Sequence, residues 1–182
     1  MNWPLLTILV VLAMLFTLYL NMTASRLDRL HRRIDTATLA LDAQLVRRSA
    51  MAAEIAGAGL LDPVSSALLA DAAHAARTAP EDDSRARGLA ESDLTGALGA
   101  VFGDPDDVEV LGETAAGRAY VEELTAAARR VELSRRFLND GVRACRAVRG
   151  QWLVRLFHLA GRTPWPDTFE MDDTLPGGLS GR

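Results

Sequence analysis

The first pattern along the chain is an unbroken apolar run close to its N-terminus. Residues 5–20 read LLTILVVLAMLFTLYL and contain no charged position. As a helix they rise about 24 Å, slightly short of a hydrocarbon core of about 30 Å, and Trp3, Pro4 and Met22 extend them to full width. The run therefore predicts a transmembrane anchor over residues 1–22.

A cleaved signal peptide is the alternative interpretation of this run. Signal peptides normally begin with a basic segment, whereas no Lys or Arg precedes the run here. The small-residue site Thr23-Ala24-Ser25 is a weak match to a cleavage signal. The pattern favours an anchor that stays uncleaved.

Arginines define the expected orientation of the anchor. Four of them follow the run closely and none precedes it: Arg26, Arg29, Arg32 and Arg33. Because positively charged flanks stay inside, we expect a short N-terminus outside and residues 23–182 in the cytoplasm. All 20 basic residues of the chain are Arg, which is typical of a high-GC bacterial genome. We expect the anchor to lie in a bacterial inner membrane.

A helical period follows the anchor. Seam positions recur in heptads at Leu27, Leu30, Ile34, Ala37, Leu41, Gln44, Arg48, Met51 and Ile55. Neither Pro nor Gly interrupts the chain from Leu5 to Ala56, so the anchor and this helix are predicted to form one continuous rod of about 78 Å. Gly57 and Gly59 mark its end.

Turn signals divide the next hundred residues into further helices. Asp62-Pro63 opens a second helix that runs to about Thr78, and a third covers about Ser84 to Phe102. Residues 103–117 are expected to form a loop. A fourth helix is predicted over about residues 118–150, with one row of large side chains and one row of mostly small side chains, each repeating every seven residues. The predicted fold is all-α, with an antiparallel four-helix bundle over residues 23–150.

The C-terminal part departs from this pattern. Residues 151–170 are rich in aromatic and leucine side chains, with Trp152, Phe157 and Trp165 prominent. They predict a short amphipathic helix that lies either in the lipid headgroup layer or on the open end of the bundle. Residues 171–182 are Gly-rich and expected to be disordered.

Charge is segregated along the chain. Residues 23–50 carry a net charge of +3, residues 80–113 of −8 and residues 118–162 of +6. Either acidic and basic helices of one bundle complement each other, or a basic face lies near anionic lipid. The overall charge of −4 and the absence of a reader motif argue against nucleic-acid binding.

Candidate reaction chemistry is scarce. The one cysteine, Cys145, falls in an apolar row and fits a packed core thiol better than a nucleophile. The acids between Asp104 and Glu109 lack the central Gly and terminal Glu of a calcium loop. No metal, cofactor or catalytic constellation is expected. The expected partners are membrane lipid, a membrane or cytoplasmic protein, or a second copy of the chain.

Several short motifs resemble the LemA family of bacterial membrane proteins. They are Asp42-x-Gln44-Leu45-x-Arg47-Arg48, Leu94-x-Gly96-Ala97-Leu98-Gly99, Arg135-x-Phe137-x-Asn139-Asp140-x-Val142, and Leu156-Phe157 with Pro164 and Phe169-Glu170. The resemblance covers nearly the whole chain in order. It implies one transmembrane helix with a cytoplasmic antiparallel helical bundle, and it implies no reaction.

Motif residues supply the candidate contact sites. Arg47 and Arg48 lie in the first helix, where a seam arginine needs a buried partner such as Glu122 or Glu123, or else reaches out to water. Asn139 and Asp140 are expected to face away from the seam, as a partner contact or as part of a local network with neighbouring arginines. The sequence thus predicts a membrane-anchored scaffold or adaptor, with a lipid-binding or membrane-organising protein as the alternative.

Overall fold

The computed structural model describes residues 3–80, 82–161 and 163–180, so both chain ends and Arg162 of the aromatic segment lie outside the described residues. Within them every regular element is a helix, which confirms the all-α prediction. The elements are α1 (Trp3–Gly57), α2 (Pro63–Thr78), α3 (Ser84–Phe102), α4 (Pro105–Leu111), α5 (Ala115–Arg149), α6 (Trp152–Leu156) and α7 (Gly177–Ser180).

Helix α1 is continuous, as the absence of Pro and Gly predicts. Its apolar N-terminal part is long and hydrophobic enough to cross a membrane, and the other described residues bury none of its most apolar window. Its C-terminal part instead contributes buried core residues, among them Leu41, Leu45 and Ile55. The helix ends at Gly57, and Gly59 follows with a φ of +70°.

Helices α2 and α3 begin where the turn signals place them. The Asp62 carboxylate accepts the N–H groups of Val64 and Ser65 at 2.9 and 3.1 Å. Asp83 caps α3 in the same way through the N–H groups of its second and third following residues. Each cap satisfies donors that have no partner inside the helix. The pKa of Asp62 is lowered by these hydrogen bonds, chiefly those from Ser65.

The predicted loop over residues 103–117 is wrong in its middle, which forms α4. Asp104 accepts the N–H of Asp106 at 2.9 Å, and Pro105 occupies the first helical turn. Val108 and Leu111 are buried. The acidic cluster that suggests a solvated turn is therefore the capped first turn of a short helix that inserts two apolar side chains into the core.

The described chain divides into two compact units. Unit 1 comprises Met1–Thr36 and Asn139–Thr168, and unit 2 comprises Ala37–Leu138 and Phe169–Arg182. The core of unit 1 is built from Leu27, Cys145, Val148 and Val154. The core of unit 2 is larger and draws on α1 to α5 and α7, with residues such as Ile55, Leu69, Leu94, Phe102, Leu124 and Leu179. Helices α1 and α5 contribute to both units.

The prediction of a disordered tail over residues 171–182 is wrong for the described residues. Residues 171–180 belong to unit 2, and Leu179 of α7 is fully buried in its core. A Cβ atom at Gly178 would lie 2.7 Å from the carbonyl oxygen of Phe102. The glycines that suggest disorder thus permit a close approach to the end of α3.

Candidate functional site

Arg48 is a buried arginine of unit 2 whose guanidinium makes several hydrogen bonds. Its side chain is 2 % exposed, and its Nη2 donates to the Glu91 Oε2 at 2.6 Å and to the Glu91 carbonyl at 2.9 Å. Its Nη1 donates to the Thr95 Oγ1 at 3.0 Å. Of the two alternatives predicted for Arg48, the structure confirms burial with a partner and contradicts a side chain that reaches out to water.

The partner predicted for Arg48 is wrong. Glu91 of α3 holds it, whereas Glu123 of α5 pairs with the adjacent Arg47 at 2.6 Å. Both side chains of the Arg47–Glu123 pair are about half exposed, so solvent screens their attraction. Glu123, one of the two predicted partners of Arg48, thus contacts the neighbouring Arg47 instead.

Glu91 carries the other half of the buried pair. Desolvation raises the pKa of its carboxyl group, and the positive charges of Arg48 and Arg87 oppose that rise. Arg87 in turn donates to Asp42 of α1 at 2.7 Å. A cavity of about 40 Å³, the size of one or two waters, lies beside Glu91 and is lined in part by Ser49 and Arg87.

Thr95 connects this pair to the C-terminal segment. Its Oγ1 lies 2.8 Å from the Asp172 carbonyl and donates to it, while the Asp172 N–H donates to the Ser92 Oγ at 2.9 Å. Hydrogen bonds from Thr174 lower the pKa of the Asp172 carboxyl group. The buried pair and the C-terminal segment therefore share one hydrogen-bonded network.

Arg135 fixes the same segment from α5. Its Nε and Nη2 donate to the two carboxylate oxygens of Asp173 at 2.7 and 2.9 Å, a bidentate arrangement. This bond raises the pKa of the Arg135 guanidinium. Arg135 belongs to one of the motifs that resemble the LemA family. Its partner Asp173 lies 38 residues away, so no local spacing in the sequence indicates the pair.

Asn139 and Asp140 do not form one outward-facing site. Asn139 is buried, which contradicts the expectation that it faces away from the seam. Asp140 is exposed and pairs with Arg143 on the same helix, as the local-network alternative predicts. The two adjacent residues differ because a helix rotates about 100° between them.

The aromatic segment lies in unit 1 together with the apolar part of α1. Phe157 packs edge-on against Phe16, with ring centroids 5.4 Å apart and an interplanar angle of 67°. Val154 of α6 is buried, while Trp152, Leu156 and Phe157 are 67 %, 60 % and 44 % exposed. Only the first part of the predicted amphipathic helix is helical, since α6 ends at Leu156.

Two arginines at the end of α5 hold the residues that follow α6. Arg149 donates to the carbonyl groups of Thr163 and Pro164 at 2.8 and 2.6 Å, and its guanidinium lies 4.8 Å from the centre of the Trp165 ring. Arg146 donates to the Pro166 carbonyl at 2.7 Å. The sequence analysis does not predict these contacts. A signal exists, because a Pro-rich segment cannot pair its carbonyl groups within a helix, and arginines shortly before it in the chain can donate to them.

Unit 2 also contains an open cavity of about 320 Å³ between the α1–α2 turn and α4. Its lining combines apolar side chains, among them Leu61, Val101 and Leu111, with the polar Asp62, Ser65, Asp107 and Thr114. The Asp62 carboxylate already caps α2.

Cys145 lies in the core of unit 1, where burial raises the pKa of its thiol and Arg149 partly opposes the rise. Since the thiolate is the reactive form, this environment suits a packing role. Among the described residues no group of three His, Cys, Asp or Glu side chains could hold a metal ion. No protein-family model, curated protein or solved structure matches the chain.

Proposed function

We propose that this chain is a single-pass protein of a bacterial inner membrane, with a cytoplasmic helical domain that acts as a scaffold or adaptor of the LemA type. One observation carries the proposal: the exposed apolar stretch and the core-forming residues of unit 2 belong to one uninterrupted helix, α1. The arginines after the stretch favour a cytoplasmic domain.

An antiparallel four-helix arrangement is part of the proposal, with α1, α2, α3 and α5 as its helices. In unit 1, Leu27 shares a core with Val148, and a Cβ atom at Gly141 would lie 3.5 Å from Ile34. In unit 2, Arg47 pairs with Glu123. Since the residue numbers on α5 fall as those on α1 rise, these contacts support an antiparallel pair.

The motif residues support the LemA resemblance through the contacts they make. Arg48 forms the buried pair with Glu91, Leu94 and Leu98 lie in the core of unit 2, and Arg135 holds Asp173. A sequence pattern made of such contacts constrains packing. It is the pattern expected of a scaffold, whose function depends on shape.

Exposed apolar side chains on α5 give the scaffold a candidate partner surface. Leu133 and Phe137 are four residues apart, so they lie on one face of the helix, and both are more than half exposed. Cross-linking in native membranes, followed by identification of the captured proteins, tests this role. The variant Leu133→Ser/Phe137→Ser should lose a specific partner that the unchanged protein and the matched control Val64→Ser/Leu68→Ser retain. Capture of the protein alone in all three cases would count against the adaptor.

The alternative, a lipid-binding or membrane-organising protein, is favoured by the Phe16–Phe157 contact. Phe16 lies within the apolar stretch, so a bilayer that surrounds Phe16 also reaches Phe157 and the exposed Trp152 and Leu156 beside it. Aromatic side chains prefer such an interface, and Arg155 suits the headgroup layer. The C-terminal segment would then form a second membrane contact.

Fluorescence of single-tryptophan variants in vesicles tests the second contact. The full chain carrying only Trp152 should be quenched by lipids brominated on the acyl chains. A chain carrying only Trp3, within the proposed anchor, is the positive control. Quenching of Trp3 without quenching of Trp152 would leave the scaffold proposal intact and overturn the lipid contact.

A further inference from the structure

Residues 169–180, called here the strap, lie in a groove on α3 and α5 of unit 2. Three positions of α3 receive the strap backbone at helical spacing. Gly88 leaves room for the Glu170 carbonyl oxygen, where a Cβ atom would clash. Ser92 accepts the Asp172 N–H at 2.9 Å, and Thr95 donates to the Asp172 carbonyl at 2.8 Å. The groove thus recognises main-chain groups of an extended segment.

Side chains of the strap add specificity to these main-chain bonds. Asp173 forms the bidentate pair with Arg135, and both partners are largely buried. Phe169 at one end of the strap is buried, and Leu179 at the other end is fully buried. Recognition of an acidic side chain by arginine is a known way of binding a short peptide, and here an apolar residue is buried on either side of it.

The strap has no regular structure of its own between Phe169 and Pro176. An extended segment cannot pair its N–H and C=O groups internally, so it depends on the groove for them. Along the chain the strap is separated from the rest of unit 2 by residues 139–168, which belong to unit 1. These features make it separable from the groove in a way that a core helix is not.

We propose that the groove of Gly88, Ser92, Thr95 and Arg135 is a binding site for an extended acidic peptide. When a protein releases its own strap from this groove, the strap of a second copy of the chain binds there instead. Every copy carries a strap that satisfies the groove. Anchoring in one membrane would concentrate the copies near each other, which favours exchange between them.

Peptide binding to the full chain tests the site. The probe is a labelled synthetic peptide with the sequence of residues 169–180. In the unchanged protein the resident strap competes with it, whereas Asp173→Arg places a positive charge against Arg135 and releases the strap. The peptide should bind Asp173→Arg about tenfold or more tightly than the unchanged protein, and a peptide carrying Asp173→Ala should lose about tenfold. The matched control Asp71→Arg, on the exposed face of α2, should bind like the unchanged protein.

Hydrogen exchange of the strap amides shows whether the strap has been released in Asp173→Arg. Rapid exchange without peptide binding would overturn the site, and so would strap amides that stay protected in both Asp173→Arg and the milder Asp173→Asn. Far-UV circular dichroism verifies that each variant keeps its helices.

A mixture of two full-length variants tests exchange between copies. Within Asp173→Arg two positive charges oppose each other, and within Arg135→Glu two negative charges do, so neither groove holds its own strap. Between the two variants, the groove of each carries the charge opposite to that on the strap of the other. We expect differently tagged copies to purify together only when the two variants are mixed. Equal recovery from mixtures of identical variants, or none from the mixed pair, would overturn exchange of the strap.

Discussion

Arg48 of α1 and Glu91 of α3 form an ion pair with a nitrogen–oxygen distance of 2.6 Å, and each side chain is only 2 % exposed. Thr95 and the Glu91 carbonyl satisfy two further bonds of the guanidinium, while its Nε has no hydrogen-bond partner among the described residues. Because both charges have left water, each depends on the other to offset its desolvation. The pair therefore couples two helices far apart in the sequence.

Removal of one partner of this pair should cost far more than removal of both. Arg48→Met or Glu91→Leu leaves an uncompensated buried charge, and we expect each to lower the free energy of unfolding by about 3–5 kcal/mol. The double variant should recover to within about 1 kcal/mol of the unchanged protein. Urea unfolding in detergent measures all three. Costs that simply add in the double variant would show that the two residues act independently.

The same pair predicts a pH dependence. Burial raises the pKa of Glu91 above its ordinary value of 4.5, so between 4.5 and the raised pKa the folded protein binds more protons at this site than the unfolded chain does. The contribution of Glu91 to the free energy of unfolding is therefore fully present below pH 4.5. It is lost as the pH rises through the raised pKa, at a slope of at most about 1.4 kcal/mol per pH unit.

Unfolding of the unchanged protein and of Glu91→Gln, measured from acidic to neutral pH, isolates this contribution. The difference between the two free energies should change over the window above 4.5, because the glutamine does not titrate. The double variant Arg48→Met/Glu91→Leu should resemble Glu91→Gln in its slope. Parallel curves for all three proteins would contradict a raised pKa.

Local signals were sufficient for the long helices. The apolar run, the absence of Pro and Gly, and the caps at Asp62 and Asp83 fix α1, α2 and α3 because helix initiation and termination depend on neighbouring residues. The partner of Arg48 could not be found in this way. Counting levels along two helices that are expected to be antiparallel predicts which residues of α5 face α1. It leaves the position of α3 undetermined, and Glu91 lies on α3.

Glycines also show where local reasoning fails. Two glycines three residues apart in a helix, such as Gly96 and Gly99, can permit close helix packing. A Cβ atom at either position would nevertheless meet no atom of the described residues within 4 Å. The close approach occurs at Gly88 and Gly178 instead, both against segments distant in sequence. Which glycine faces a neighbouring backbone depends on tertiary packing, so composition alone cannot distinguish a flexible tail from a packed one.

Two substitutions on α3 should therefore have opposite effects. Gly88→Ala directs a methyl group at the Glu170 carbonyl oxygen and should lower the free energy of unfolding by about 1–3 kcal/mol. Gly96→Ala fills open space in the middle of a helix and should raise it by about 1 kcal/mol. Thermal unfolding compares the two with the unchanged protein. A stabilising Gly88→Ala would show that the strap does not lie against this position.

The last prediction concerns Arg149, whose one guanidinium bonds two carbonyl groups and stacks on Trp165. Lysine keeps the positive charge but lacks the planar fork, so Arg149→Lys cannot reproduce both bonds and the stacking at once. We expect the free energy of local opening of residues 163–165 to fall by about 1–3 kcal/mol. In a chain whose only tryptophan is Trp165, the emission should shift to longer wavelength. Arg155→Lys, an exchange at an exposed arginine of α6, is the matched control and should leave the emission unchanged. An unchanged emission in Arg149→Lys would mean that positive charge, which lysine keeps, and not the bidentate contact of Arg149 determines the position of Trp165. An equal shift in both variants would mean that the effect is not specific to Arg149.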